Sequence, residues 1–178
     1  MGYAIASSAL RCGASVILVS GPVSVAAPPG ARLINVESAL QMKREVEKYF
    51  PSSDIVVFSA AVSDYRAERI RRGKIKTKTK HMKLNLVRNP DILLSLGKKK
   101  GNKILIGFAL ETENVVRNAK KKLAQKNLDM IIANTPESMG GNRAKVSIIA
   151  GGGKVMTLAE ADKTRVAEKI ITEIGRMI

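Results

Sequence analysis

Three features of this 178-residue chain predict an α/β fold with helices on both faces of a mostly parallel sheet. First, short apolar runs recur with nothing polar to alternate with, as in Ile55-Val56-Val57-Phe58, KILIGF at 103–108 and LDMIIA at 128–133. Such runs fit strands covered on both sides. Second, amphipathic stretches of helical length separate them, the order that builds a three-layer sheet. Third, the 55–58 run stops on Ser59-Ala60-Ala61, three small residues at a strand's carboxyl end, where open α/β sheets bind their ligands.

Residues 3–11 read as a helix of small residues, with Ala4, Ile5, Ala9 and Leu10 toward a sheet; Cys12-Gly13 ends it. A doubly wound unit places a strand and a glycine turn before such a helix, so the chain is expected to start inside a unit, without its first strand. Residues 14–20 read as a buried strand broken by Gly21-Pro22, and 32–36 as a short one. Residues 37–50 form an amphipathic helix with Leu40, Val46 and Phe50 on one face, stopped by Pro51. Met82, Leu84 and Leu86 alternate with Lys83 and Asn85, which predicts a half-exposed strand over 82–87. With residues 69–80 it makes an arm leaving the sheet body. Asn89-Pro90-Asp91 opens a helix to about Lys100, since proline and acids suit a first turn. A polar helix from Glu111 to about Lys126 follows the KILIGF strand. Residues 145–149 and 154–158 make a hairpin through Gly151-Gly152-Gly153. The last helix, from Ala159 to about Ile178, carries Val166, Ile170, Ile171 and Ile174 on one side. The sum is a single Rossmann-like three-layer sandwich with a mostly parallel central sheet, a protruding β arm and a C-terminal β-hairpin.

Composition removes several chemistries. Cys12 is the only cysteine and His81 the only histidine, which excludes cysteine-based metal clusters and histidine-pair metal sites and argues against a Ser-His triad. The single cysteine fits a reducing compartment. No run reaches transmembrane length, and no signal peptide is visible. The net charge of +16 implies an anionic partner. Only three Tyr and three Phe occur, none in the basic run 69–80, which argues against the rival reading, a non-catalytic nucleotide or nucleic-acid binding Rossmann-like module. Neither the Walker-type loop nor the G-x-G-x-x-G fingerprint is present, which argues against a P-loop enzyme and an ordinary dinucleotide oxidoreductase.

The remaining candidates cluster at strand ends. Asp64 follows the Ser59-Ala60-Ala61 turn, and a cationic segment with Arg66, Arg69, Arg71, Arg72, Lys74, Lys76, Lys78 and Lys80 follows Asp64. One acid beside many cations suits a metal-bound polyphosphate: the carboxylate for the metal, a lysine for the phosphates. Phe108 ends its strand as either core or a base-stacking face. Lys122 and Lys126, four apart on a helix, share a face that suits one anion. Asn134 ends a strand as a turn residue or a reader of a base edge or ribose.

In order, SAAVSDYR at 59–66, GKIKTK at 73–78, LNLVRNPDIL at 84–93, IGFALET at 106–112, KKLAQKNLDMIIAN at 121–134 and the glycine-linked hairpin resemble phosphopantothenoylcysteine synthetases. These are the ligase part of the bacterial and archaeal bifunctional coenzyme A biosynthesis protein, the C-terminal domain of the DNA/pantothenate metabolism flavoproteins. The similarity covers essentially the whole chain; each motif is weak alone, the ordered set specific.

The resemblance implies a cytoplasmic, homodimeric ligase. It activates 4′-phosphopantothenate with CTP and magnesium as an acyl-cytidylate, which the amine of cysteine then attacks. It implies Gly2, Ser59, Ala60, Asp64, Lys74, Asn89, Pro90, Asp91, Ile92, Phe108, Lys122, Lys126 and Asn134 at the nucleotide. Ala60, Ala61 and Asp64 are implied at the substrate, Asp64 at the metal, and Lys74 and Asp64 in catalysis. Flavin belongs to the decarboxylase half and is not expected in this portion, nor is a membrane or nucleic-acid partner. Two departures stand out. The family's opening strand and SSG turn have no counterpart before Met1, Gly2 matching the turn's last glycine. Asn134 is followed by Thr135 where the family often has aspartate.

Overall fold

The computed structural model describes residues 1–70, 73, 74, 76, 80–136 and 141–178. The predicted alternation is present. Helix α1 (Gly2–Arg11) leads to strands β1 (Ile17–Ser20) and β2 (Arg32–Asn35), then helix α2 (Ala39–Tyr49) and a 3-10 turn at Phe50–Ser52. Strand β3 (Ile55–Phe58) precedes the arm strands β4 (Tyr65–Ala67) and β5 (Leu86–Arg88) and the short helix α3 (Ile92–Gly97). Strand β6 (Ile104–Leu110), helix α4 (Val115–Gln125), strands β7 (Met130–Asn134), β8 (Arg143–Ala150) and β9 (Val155–Asp162), and helix α5 (Lys163–Gly175) complete the chain.

The central sheet has the order β3-β6-β7-β8-β9, with β3, β6 and β7 parallel and the β8–β9 hairpin antiparallel. Its strands alternate between two cores. Leu105, Ala109, Ile131, Ala133 and Ile149 face α2, α3 and α4, where Met42, Phe50, Leu93, Leu96 and Ala119 pack. Ile106, Met130, Ile132, Val146 and Ile148 face α1 and α5, against Ile5, Val166, Ile170 and Ile174. This double coverage is why the β6 and β7 runs carry no polar alternation. Strands β1 and β2 form a separate parallel pair.

Several local expectations change. Strand β1 starts at Ile17 rather than Ala14, and it is only partly buried because it pairs with β2 alone; Ile17 is exposed. On α1 the buried positions are Ile5, Ala6 and Ser8, with Ala9 and Leu10 half-buried, because the helix packs against α5. Leu40 lies in solvent, and Met42, Val46 and Phe50 make the contact instead. Ser38 caps α2 through a reciprocal bond with Gln41, and Leu40, two residues or about 200° from Met42 around the helix, falls on the face opposite Met42. Of the 82–87 strand only Leu86 and Val87 are in β5, and Met82, Leu84 and Leu86 are all exposed. Among the described residues no second layer covers these side chains. Helix α5 starts at Lys163 because β9 runs on to Asp162.

Two glycines hold α3 in place. A Cβ on Gly97 would lie 1.9 Å from the Lys126 carbonyl oxygen, and one on Gly107 would lie 2.8 Å from Leu128 Cδ1 and 2.9 Å from Leu93 Cδ2. The end of α3 therefore touches backbone at the end of α4, and Asn127 Nδ2 bonds Gly97 O at 2.9 Å across the same junction.

Candidate active site

A cavity of about 160 Å³ opens at the carboxyl edge of β3 and β6. Its walls are the segment after β3 (Ala60, Val62, Ser63, Asp64), the β5–α3 turn (Arg88, Asn89, Pro90, Asp91, Ile92), Phe108 and Lys126. The volume takes only part of a nucleotide, since small-ligand pockets run to several hundred Å³. Ala60 and Ala61 are both exposed.

Eight of the residues chosen from sequence line this cavity: Ala60, Asp64, Asn89, Pro90, Asp91, Ile92, Phe108 and Lys126. Gly2 and Ser59 meet beside it, where a Cβ on Gly2 would lie 2.5 Å from Ser59 Oγ. Ala61, Lys74, Lys122 and Asn134 are outside the wall, and Lys74 is exposed. Arg71, Arg72 and Lys78 of the cationic segment lie outside the described residues.

Side chains at the rim are already engaged. Asp91 caps α3 by accepting from Leu94 N at 2.9 Å, and its other oxygen is 2.8 Å from Lys126 Nζ. Lys122 reaches a different carboxylate, Glu111 Oε1 at 2.6 Å, so the two lysines on one helix face hold two separate acids. Glu111 is nearly buried; Asn118 Nδ2 donates to its Oε2 at 3.2 Å, and Lys122 approaches Oε1 without the alignment of a hydrogen bond. Asn134 accepts from Glu111 N through its backbone oxygen, at 3.0 Å. The Asp64 carboxylate is exposed, and no hydrogen bond or ion pair reaches it among the described residues. Nor do those residues group three His, Cys, Asp or Glu side chains for a metal.

Burial alone would raise the Asp91 carboxyl. The Lys126 hydrogen bond, the Leu94 N–H and the charges of Lys126 and Arg88 outweigh it and hold the group below the ordinary carboxylate value. A depressed carboxyl contributes stability that is present above its unfolded value and lost as pH falls through the folded one. Asp91→Asn keeps a cap and loses the ion pair. Acid unfolding followed by circular dichroism should therefore show a shallower loss of stability below about pH 4 in the variant than in the parent. Equal acid limbs would mean that the pair contributes nothing to the fold.

Sequence reasoning missed Asp91 and Glu111 as partners of Lys126 and Lys122, because both pairings span strand connections and leave no local pattern. It missed Arg66, counted there only as one cation among eight. Arg66 Nη1 donates to Arg88 O at 2.9 Å and to Asn89 Oδ1 at 3.1 Å.

A model of the DNA/pantothenate metabolism flavoprotein C-terminal domain matches residues 1–177. The coenzyme A biosynthesis bifunctional protein CoaBC of Bacillus subtilis is 41% identical over 182 residues, covering 99% of this chain and 45% of that protein. The protein of the same name from Escherichia coli is 42% identical over 138 residues, covering 75% of this chain and 34% of its own length. The chain thus spans about half, or less, of the curated relatives it matches. The crystal structure of the C-terminal domain of a CoaBC protein superposes with a TM-score of 0.85 at 37% identity, covering 99% of this chain and 81% of that one. A Cab2 mutant in complex with phosphopantothenate-cysteine, at 19% identity, shares the fold with a TM-score of 0.76, over 99% of this chain and 76% of its own. With its ordered motifs, its sheet and a family match running nearly end to end, the chain belongs to the DNA/pantothenate metabolism flavoprotein C-terminal domain family.

Proposed function

We propose that this chain is a phosphopantothenate–cysteine ligase domain that uses CTP and magnesium. The observation that carries the reading is the convergence of Ala60, Asp64, the Asn89–Ile92 turn, Phe108 and Lys126 on one cavity at the sheet's carboxyl edge. In the reaction, the carboxylate of 4′-phosphopantothenate attacks the α-phosphorus of CTP, and pyrophosphate leaves. The amine of cysteine then attacks the acyl carbon, loses a proton, and expels CMP.

Each residue has work suited to its chemistry. Phe108 offers an apolar face to the base, and Ala60 and Ala61 leave backbone open to nucleotide and substrate. Lys122, Lys126 and Lys74 supply positive charge to phosphates whose charge shifts as pyrophosphate departs. Asp64 suits a magnesium ion that arrives on the triphosphate: one free, exposed carboxylate is what such an ion needs from protein when phosphates and water fill its other positions. When bound, magnesium neutralises charge on the phosphates. No histidine or cysteine nucleophile is needed, because the substrate amine attacks; this agrees with a chain that has one of each.

We assign the domain to a homodimer, as the resemblance implies. Supporting it, the arm exposes Tyr65, Met82, Leu84 and Leu86, each more than half accessible, on a surface that a second copy would cover. Fusion to a decarboxylase half, as in the bifunctional relatives, and a cytoplasmic setting belong to the same reading. Among the described residues no helix is long and apolar enough to cross a membrane.

Calorimetry with CTP, with and without magnesium, tests the reading, with ATP and NAD as controls. Magnesium-dependent CTP binding supports it. The Asp64→Asn variant should then bind magnesium–CTP about tenfold more weakly, the scale of one charge-assisted contact. Unchanged affinity would remove Asp64 from the metal and nucleotide.

A further inference from the structure

Among the described residues nothing holds the Asp64 carboxylate, so its position depends on its backbone. Residues 59–63 have no regular structure, and Asp64 sits at a bend just before β4. Two carbonyls at the end of this segment are held by one residue. Asn89 Nδ2 donates to Ser63 O at 2.8 Å, and Asn89 N donates to Asp64 O at 2.7 Å. Asn89 is buried at 9% exposure, and its amide is occupied at both ends, since Oδ1 accepts from Arg66. The side chain implied at the nucleotide thus makes these two hydrogen bonds within the protein, at the wall of the cavity it lines.

Arg66 completes the staple. It lies two residues past Asp64 on β4, opposite Val87 of β5. Its Nη1 bridges Arg88 O and Asn89 Oδ1. That bridge fixes which way the amide faces, because Oδ1 toward a guanidinium puts Nδ2 toward Ser63. Loss of the guanidinium at position 66 would remove the preference and loosen the amide's hold on Ser63 O, the carbonyl next to Asp64, leaving the Asn89 N–H on Asp64 O as the remaining tie. The charge-assisted bond is the stronger kind, and the Asn89 end of it is buried.

We propose that Arg66 is a positioning residue for Asp64, acting through Asn89, so that the carboxylate is held ready for the metal-bound nucleotide. This rests on the ligase reading above, in which Asp64 faces magnesium–CTP.

The test is a double-mutant cycle of Arg66→Gln and Asp64→Asn, read as CTP affinity by calorimetry with magnesium and again in chelator. Arg66→Gln should weaken magnesium–CTP binding by several-fold to about tenfold, the effect of losing a charged hydrogen bond. The double variant should bind no more weakly than Asp64→Asn alone, since residues acting through one group are not additive. In chelator, Arg66→Gln should leave CTP affinity unchanged. Effects that multiply, or equal weakening with and without magnesium, would overturn the proposal and make Arg66 a direct phosphate contact or a general support of the fold. An Arg66→Gln variant with parental affinity would overturn it too.

Arg66→Lys keeps a charge able to reach Asn89 Oδ1 and should recover part of the loss, which keeps the test decisive if the glutamine variant folds poorly. No recovery by a folded Arg66→Lys would count against the staple. If Asp64→Asn itself leaves magnesium–CTP binding intact, the ligase reading of Asp64 fails, and this inference falls with it. If only the Arg66 arm fails, the reading of Asp64 stands.

Discussion

Lys74→Gln should lower kcat by about 10²- to 10³-fold while leaving thermal unfolding unchanged. Lys74 is exposed, and no ion pair is formed by it among the described residues, so it contributes little to the fold. Surface changes of this kind usually stay within about 0.5 kcal/mol. Removing one donor aimed at developing charge typically costs about 2.7–4 kcal/mol of transition-state stabilisation, which is where the expected rate loss comes from. The separation of the two readouts is the test. Steady-state pyrophosphate release from CTP, phosphopantothenate and cysteine gives the first, calorimetric melting the second. A variant that turns over at the parental rate removes Lys74 from the triphosphate; one that melts early shows that the arm near it is structural.

Gly97→Ala should destabilise the domain by roughly 2–3 kcal/mol, although alanine is ordinarily the better helix former by about 1 kcal/mol. The added carbon would sit 1.9 Å from the Lys126 carbonyl oxygen, and backbone cannot swing aside as a side-chain tip can. Either α3 moves off the α4–β7 junction or the junction moves. Both separate Asp91, the cap of α3, from Lys126, the C-cap of α4. Nucleotide affinity should fall along with stability. Urea unfolding and CTP calorimetry on the same variant check the pair of effects. A stable variant with full affinity would mean that the junction yields freely and that the Asp91–Lys126 contact does not depend on it. Gly107→Ala offers a milder comparison, since its added carbon meets only the ends of Leu93 and Leu128.

The sheet was largely legible in the sequence because β6 and β7 are covered on both faces, and that condition writes itself as uninterrupted Ile, Leu and Ala. The hairpin and α5 were legible for other reasons, the hairpin from its glycine turn and α5 from an apolar stripe at helical spacing, though β9 ran four residues further than the 154–158 expected. Legibility failed where burial is supplied by one side or by nothing. Met82, Leu84 and Leu86 alternate as a half-buried strand should, yet they stand in solvent. Period alone cannot say whether a partner layer exists. Leu40 fails differently: the contact follows Met42, Val46 and Phe50 at four-residue spacing, and Leu40, two residues before Met42, lies on the other side of the helix from it. In the site, Asp64 and Phe108 were readable as residues at strand ends, which topology gathers, while the Asn89–Ile92 turn entered only through the family resemblance. The Arg66–Asn89, Lys126–Asp91 and Lys122–Glu111 links were not, because the first joins residues 23 apart and all depend on tertiary approach.

The two paired lysines of α4 have a consequence for what this surface will accept. Lys126 and Lys122 each begin with a carboxylate in hand. On the ligase reading proposed above, an incoming anion would have to exchange with Asp91 or Glu111 rather than settle on bare charge. Chloride or a monoanion would gain little from such an exchange, while a polyphosphate, with several charges on one chain of atoms, would gain at both lysines at once. The lysines would then act as a filter on charge density, and binding at them should depend on ionic strength less steeply than the chain's large positive charge suggests.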